Sequence, residues 1–125
     1  MEASSKNFAA SELRCQCVHC NLEVPHEITQ PEVDRLQKVR AEYDLPMILT
    51  SAYRCALHSI EAKKSKPGQH NHAAFDVAIP WGQSRMRLMQ IAIGHGFTAF
   101  GFANSFLHMD PRPMEGDELT SWGYN

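Results

Sequence analysis

Residues 68–77 read Gly68-Gln69-His70-Asn71-His72-Ala73-Ala74-Phe75-Asp76-Val77, and residues 106–110 read Phe106-Leu107-His108-Met109-Asp110. Ala73 to Ile79, apolar but for Asp76 and closed by Pro80, predicts a strand, and Ser105–Met109 predicts another. Placed in one sheet, the two stretches bring imidazole and carboxylate side chains to a common region. Zinc binds both groups at about 2.0–2.2 Å, and two imidazoles with one carboxylate leave a fourth position for water, the catalytic arrangement. Spacing alone is a weak signal for a metal. Asp110 stands two residues beyond His108 and, on an extended strand, points to the same side. It reads equally as a proton acceptor or as the partner that orients the imidazole.

The rest of the chain supplies a sheet and helices around these stretches. From Pro31 the apolar residues Val33, Leu36, Val39 and Tyr43 fall at helical spacing, with Asp44-Leu45-Pro46 as the stop. Met47 to Tyr53 reads as a buried strand running into Arg54. A short helix is expected from Leu57 to Lys64, ended by Pro67-Gly68. Ser84 to Ile93 predicts a helix with Met86, Leu88, Met89, Ile91 and Ala92 on its apolar side. Gly94-His95-Gly96 resembles a helix end, with His95 expected to bond the last carbonyls. Thr98–Phe102 precedes the final predicted strand. The expected fold is therefore α+β, a small antiparallel or mixed sheet with flanking helices, in a single domain over residues 1–125. Residues 1–30 are expected to be loop-rich, and 114–125 a C-terminal tail. In that tail Trp122 and Tyr124 either pack on the sheet, the favoured reading, or wall a groove.

Composition narrows the partners. The chain has 125 residues, 43% hydrophobic and 21% charged, as in ordinary globular proteins. Net charge is −2, and the only dense basic run, Lys63, Lys64 and Lys66, is short, so no nucleic-acid partner is expected. No apolar run approaches the roughly 20 residues that span a bilayer. Met1 to Asn7 lacks a basic-then-apolar pattern, so no secretory signal is expected. Seven histidines are many for this length.

Cys15-x-Cys17-x-x-Cys20, with His19 inside it, invites a structural zinc reading. A closed site needs four ligands, and the second Cys-x-x-Cys pair of a zinc ribbon is missing. Cys55 or His19 would have to complete it. Four cysteines also allow three disulfide pairings. Packed thiols are the favoured reading, for Cys55 as well.

Three landmark segments carry a resemblance. Ser51-Ala52-Tyr53-Arg54-Cys55, then His70 through Asp76, then Phe106 through Asp110 resemble, in that order, the motifs of the zinc D,D-peptidases. That family includes D-Ala-D-Ala carboxypeptidases and phage endolysins, and its fold is shared with the hedgehog signalling domain. Phe8 to Cys20, His58 to Lys63, Lys66-Pro67-Gly68 and Trp122-Gly123-Tyr124 are also similar to family segments, so the likeness covers nearly the whole chain. It implies a zinc ion held by His70, Asp76 and His108, and a substrate carboxylate bound by Arg54, whose planar donors suit that task. Ser51 and Tyr53 would shape the same pocket. The implied activity is hydrolysis of peptide bonds in bacterial peptidoglycan, either trimming a stem peptide or opening a cross-link. A non-catalytic module binding wall peptide or metal is the alternative. The implied setting is a protein made in the cytoplasm that acts on cell wall, phage-encoded and released at lysis or carried in a virion.

Two departures accompany the likeness. The family motif His-x-x-Gly-x-Ala-x-Asp has one more residue between its ligands than His70 and Asp76 do, and His72 replaces its glycine. A one-residue deletion makes His70 the ligand, and the alternative is His72. Relatives also carry a carboxylate three residues before the last histidine, where this chain has Ser105. That leaves Asp110, His72 and His95 as candidate proton carriers.

Overall fold

The computed structural model describes residues 2–17, 20–54, 73–116 and 118–124. The helix expected at Leu57–Lys64, together with His70, His72, Cys55 and His19, lies outside the described residues. Within them the elements are α1 (Ala10–Leu13), α2 (Gln30–Tyr43), β1 (Leu49–Ser51), β2 (Phe75–Ala78), α3 (Gln83–Gly94), β3 (Ala99–Phe102), β4 (Phe106–Asp110) and β5 (Thr120–Gly123). The strands form one mixed sheet in the order β1-β2-β4-β3-β5, giving an α+β fold. All pairings are antiparallel except that of β3 with β5, which is parallel.

α2 follows its sequence pattern closely. Pro31 lies in the first turn, where its missing N–H costs no intrahelical bond, and Asp44 ends the helix in the left-handed region at φ 56°. Val33, Leu36, Val39 and Tyr43 are buried on one face. They join Phe75, Val77, Leu107, Met109 and Phe100, the inward residues of β2, β4 and β3, in the core. Because successive side chains alternate across a strand, the same strands send Asp76, His108, Asp110 and Gly101 to the opposite face.

α3 keeps most of its expected apolar face, with Met86 the exception and Arg85 an addition. Its buried residues are Arg85, Leu88 and Ala92, whereas Met86 is 47% exposed, and Met89 and Ile91 are half-buried against the core. The cause is Arg85, whose Nη2 donates to the carbonyls of Ile79, Ala103 (2.7 Å) and Phe106 (3.1 Å). Trp81 covers the guanidinium at 4.4 Å and stacks on Phe102 at 5.7 Å. A pattern of apolar residues cannot anticipate an arginine anchored inward by carbonyls from the end of β2 and the β3–β4 turn.

The helix end at His95 also differs in detail. Its backbone N–H, not its ring, caps the carbonyls of Ala92 and Ile93, and its Nε2 meets Glu42 of α2 at 3.0 Å. Gly96 follows at φ 95°, and a Cβ there would meet Arg35 Nη1 at 2.0 Å. That guanidinium instead donates to the His95 carbonyl at 2.8 Å, joining α2 to the end of α3.

Two expectations about strands need correction. The Met47–Tyr53 strand contracts to Leu49–Ser51, with Thr50 exposed, because β1 is an edge strand paired on one side only, with an irregular register at β2. The C-terminal tail contains a strand, β5, whose parallel pairing takes the sheet one strand further. The N-terminal segment has little regular structure, as expected, yet Phe8, Leu13 and Cys15 are fully buried. It is tied down by Glu2, which accepts two hydrogen bonds from Arg14 (2.9 and 2.7 Å) and one from the His26 N–H (2.8 Å). No helix among the described residues is long and apolar enough to cross a membrane.

Candidate functional site

The polar face of the sheet carries one cross-strand row. The register sets Ser51 of β1 opposite Asp76 of β2, Asp76 opposite His108 of β4, His108 opposite Gly101 of β3, and Gly101 opposite Trp122 of β5. Asp76 and His108, each only 4% exposed, meet side by side, with Asp76 Oδ1 2.9 Å from His108 Nδ1. The other ring nitrogen, Nε2, lies 2.6 Å from Asp110 Oδ2, so Asp110 and His108 do share a side of the strand.

Asp110 is completely buried, and Arg112 grips it through its backbone N–H (3.1 Å), Nε (2.8 Å) and Nη2 (2.8 Å). Burial alone would raise its pKa, but the hydrogen bonds from Arg112 and His108 outweigh burial and hold the carboxyl at about 2. Burial likewise works against the imidazolium of His108, and the hydrogen bonds to Asp110 and Asp76 again prevail, raising its pKa above the ordinary value. Asp110 therefore presents a fixed anion to Nε2, while Nδ1 faces Asp76. A metal ion at Nδ1 has to compete with a proton there.

On the other side of Asp76, Arg54 Nη2 lies 3.4 Å from Oδ2, and Arg54 Nε donates to Ser51 Oγ at 3.2 Å. The structure thus brings Ser51, Arg54, Asp76, His108 and Asp110 to one region. Tyr53 is buried with its hydroxyl donating to Glu27, and its backbone N–H bonds the Leu13 carbonyl at 3.1 Å.

Gly101 and Arg112 have no part in the expectations from sequence, which set Trp122 and Tyr124 on the sheet or beside a groove. Trp122 lies against the His108 ring, with centroids 5.1 Å apart, and Arg112 sits over the indole at 4.9 Å. Gly101 makes that approach feasible, because a Cβ on it would lie 2.7 Å from Trp122 Nε1 and 2.8 Å from Tyr124 Cε2. Tyr124 continues the aromatic wall to Phe106, at 5.2 Å. The favoured expectation for the tail holds: Trp122 packs on the sheet, against the His108 ring. The available signal was the small residue at the outward position of Ala99-Phe100-Gly101-Phe102.

The donor chemistry fits zinc. Two tetrahedral ligands bound at about 2.0–2.2 Å stand roughly 3.4 Å apart. The Asp76–His108 separation is close to this, and the remaining ring nitrogen already has its carboxylate partner, as metal-ligating histidines commonly do. The mixed-sheet α+β fold thus carries, on its polar face, a buried carboxylate–imidazole pair of the donor types that divalent metals take. A family model described as Peptidase M15 matches residues 6–110, and the chain belongs to this family of zinc-dependent peptidases. No curated protein and no solved structure matched the chain.

The Asp110–His108 contact carries a prediction. Asp110→Asn lowers zinc affinity or activity by about 10–100-fold, since a neutral amide no longer fixes the imidazole as an anion does. Zinc titration of the variant, with circular dichroism to confirm an intact fold, measures this.

Proposed function

We propose that the chain hydrolyses peptide bonds of bacterial peptidoglycan, as a zinc-dependent D,D-carboxypeptidase or endopeptidase. The observation that carries this reading is the buried pairing of Asp76 with His108 across β2 and β4, in a chain of the Peptidase M15 family. Asp76 and His108 would hold the ion with a third ligand, His70 or His72, from outside the described residues. When bound, zinc supplies a Lewis acid for the scissile carbonyl and renders a water more acidic.

The chain's own groups do the rest. Arg54 binds the carboxylate of a stem peptide and so fixes the scissile bond over the site. Ser51 Oγ, which accepts from Arg54 Nε, aims that guanidinium. Asp110 holds the His108 proton at Nε2 and leaves Nδ1 for the metal. The wall of Trp122, Tyr124 and Phe106 limits water on the β5 side. Asp110 is a poor proton acceptor, because Arg112 and His108 occupy its oxygens and keep its pKa near 2. That engagement favours, as a second reading, a module that binds wall peptide or metal without turnover. The proposed place of action is the cell wall, reached at lysis or on a virion.

The deciding experiment incubates zinc-loaded protein with purified peptidoglycan and defined stem peptides, and follows products by mass spectrometry. Chelator-sensitive release of D-alanine or of un-cross-linked peptides is expected. Binding without any release selects the non-catalytic module. Arg54→Ala is expected to keep its zinc and to lose about tenfold or more in kcat/KM, since hydrogen bonds to charged groups contribute roughly 1.5–3 kcal/mol. Unchanged kinetics would refute the clamp.

A further inference from the structure

The sulfur atoms of Cys15, Cys17 and Cys20 lie within 4.8 Å of one another, although sequence alone favours unrelated packed thiols. Thiolates bound tetrahedrally to one zinc at about 2.3 Å stand roughly 3.8 Å apart, so the spacing needs only a small contraction. The backbone is already wound around this point. The N–H groups of Cys20 (3.1 Å) and Asn21 (2.7 Å) both donate to the Cys17 carbonyl, and the Leu22 N–H returns to the Cys15 carbonyl at 3.1 Å. Two successive non-glycine residues, Asn21 (φ 44°) and Leu22 (φ 63°), adopt the left-handed region there. That conformation is costly for a leucine and persists only where surrounding bonds impose it. Arg14, paired with Glu2, donates from Nη1 to the Leu22 carbonyl at 3.0 Å and so holds the turn closed. Cys15 and Cys20 are buried and Cys17 half-buried, as suits a structural rather than a reactive set of thiols.

We propose that Cys15, Cys17 and Cys20 are thiolate ligands of a structural zinc ion, separate in its ligands from the His108–Asp76 site. Its fourth position is filled by water. The ion would staple the turn after α1. Through the Tyr53 N–H to Leu13 carbonyl bond, that region adjoins the end of β1, which leads into Arg54. Binding is by displacement of thiol protons, with no change of oxidation state.

The test uses the full chain, purified under reducing, anaerobic conditions, as wild type and as His108→Ala, so that it does not depend on the peptidase reading. Cobalt(II) added to metal-free wild type is expected to give thiolate-to-cobalt charge-transfer absorption, which histidine and carboxylate ligands cannot produce. His108→Ala is expected to keep that band and about one zinc ion per chain by elemental analysis. Cys15→Ser, Cys17→Ser and Cys20→Ser in this background are each expected to lose both. Should these variants fold poorly, alkylation of wild type decides independently: the three thiols are protected until a chelator is added. A cobalt complex without the thiolate band, alkylation indifferent to chelator, or a disulfide among the three cysteines overturns the assignment.

Discussion

His108→Ala is expected to lose its His108-dependent zinc ion and all measurable peptidase activity, well beyond the 10–100-fold that an outer partner of a ligand is worth. The side chain sits at the centre of the dyad, between Asp76 at 2.9 Å and Asp110 at 2.6 Å. Its removal leaves two buried carboxylates facing a space without the imidazole that each had as a partner. Trp122, tilted against the ring, loses its support as well. Elemental analysis and turnover of peptidoglycan fragments, compared with wild type, measure the two losses. Retention of the full wild-type zinc content together with activity would remove His108, and with it the β2–β4 pair, from the active site. A His108→Gln variant separates roles, since an amide maintains some packing and hydrogen bonding while offering a far weaker metal donor.

Arg85→Ala is expected to destabilise the fold by about 3 kcal/mol or more, because unsatisfied buried polar groups cost roughly 1–3 kcal/mol each and a cavity adds to that. Three carbonyls accept from this guanidinium, those of Ile79 just beyond β2 and of Ala103 and Phe106 around the β3–β4 turn, the last also taking the Ala103 N–H. Arg85 therefore ties α3 to the ends of the strands that carry Asp76, His108 and Gly101. Urea denaturation monitored by tryptophan fluorescence gives the loss directly, and Trp81, stacked over the guanidinium, is a local reporter. Arg85→Met fills much of the volume without donating to the carbonyls, so it is expected to fall between alanine and wild type. A wild-type midpoint for Arg85→Ala would show that these carbonyls find other partners and that the arginine is a bystander.

Local physics made a good part of this protein legible in its sequence. α2 followed from apolar spacing, Pro31 and Asp44, because a helix satisfies its own backbone and needs only one apolar face. β2, β3 and β4 were placed to within a residue or two by apolar runs between proline and glycine. That Asp110 would share a side with His108 follows from the two-residue repeat of any strand.

Other features depend on which strand lies beside which, and no local pattern encodes that. Only the register of β2 on β4 sets Asp76 against His108, and only the insertion of β4 between β2 and β3 brings Gly101 and then Trp122 into the same row. The parallel β5 looked like a tail because its four residues pair with β3 across a long separation in sequence. On α3 the burial of Arg85 in place of Met86 rests on hydrogen bonds to distant carbonyls, a gain invisible to hydrophobicity. The convergence of Cys15, Cys17 and Cys20 likewise rests on a turn with two left-handed residues, where bonds from Arg14 and the Cys17 carbonyl override local preference. Sequence determined the elements and the chemical groups they carry. Tertiary structure decided which of those groups meet, because pairing and burial are settled by contacts between residues far apart along the chain.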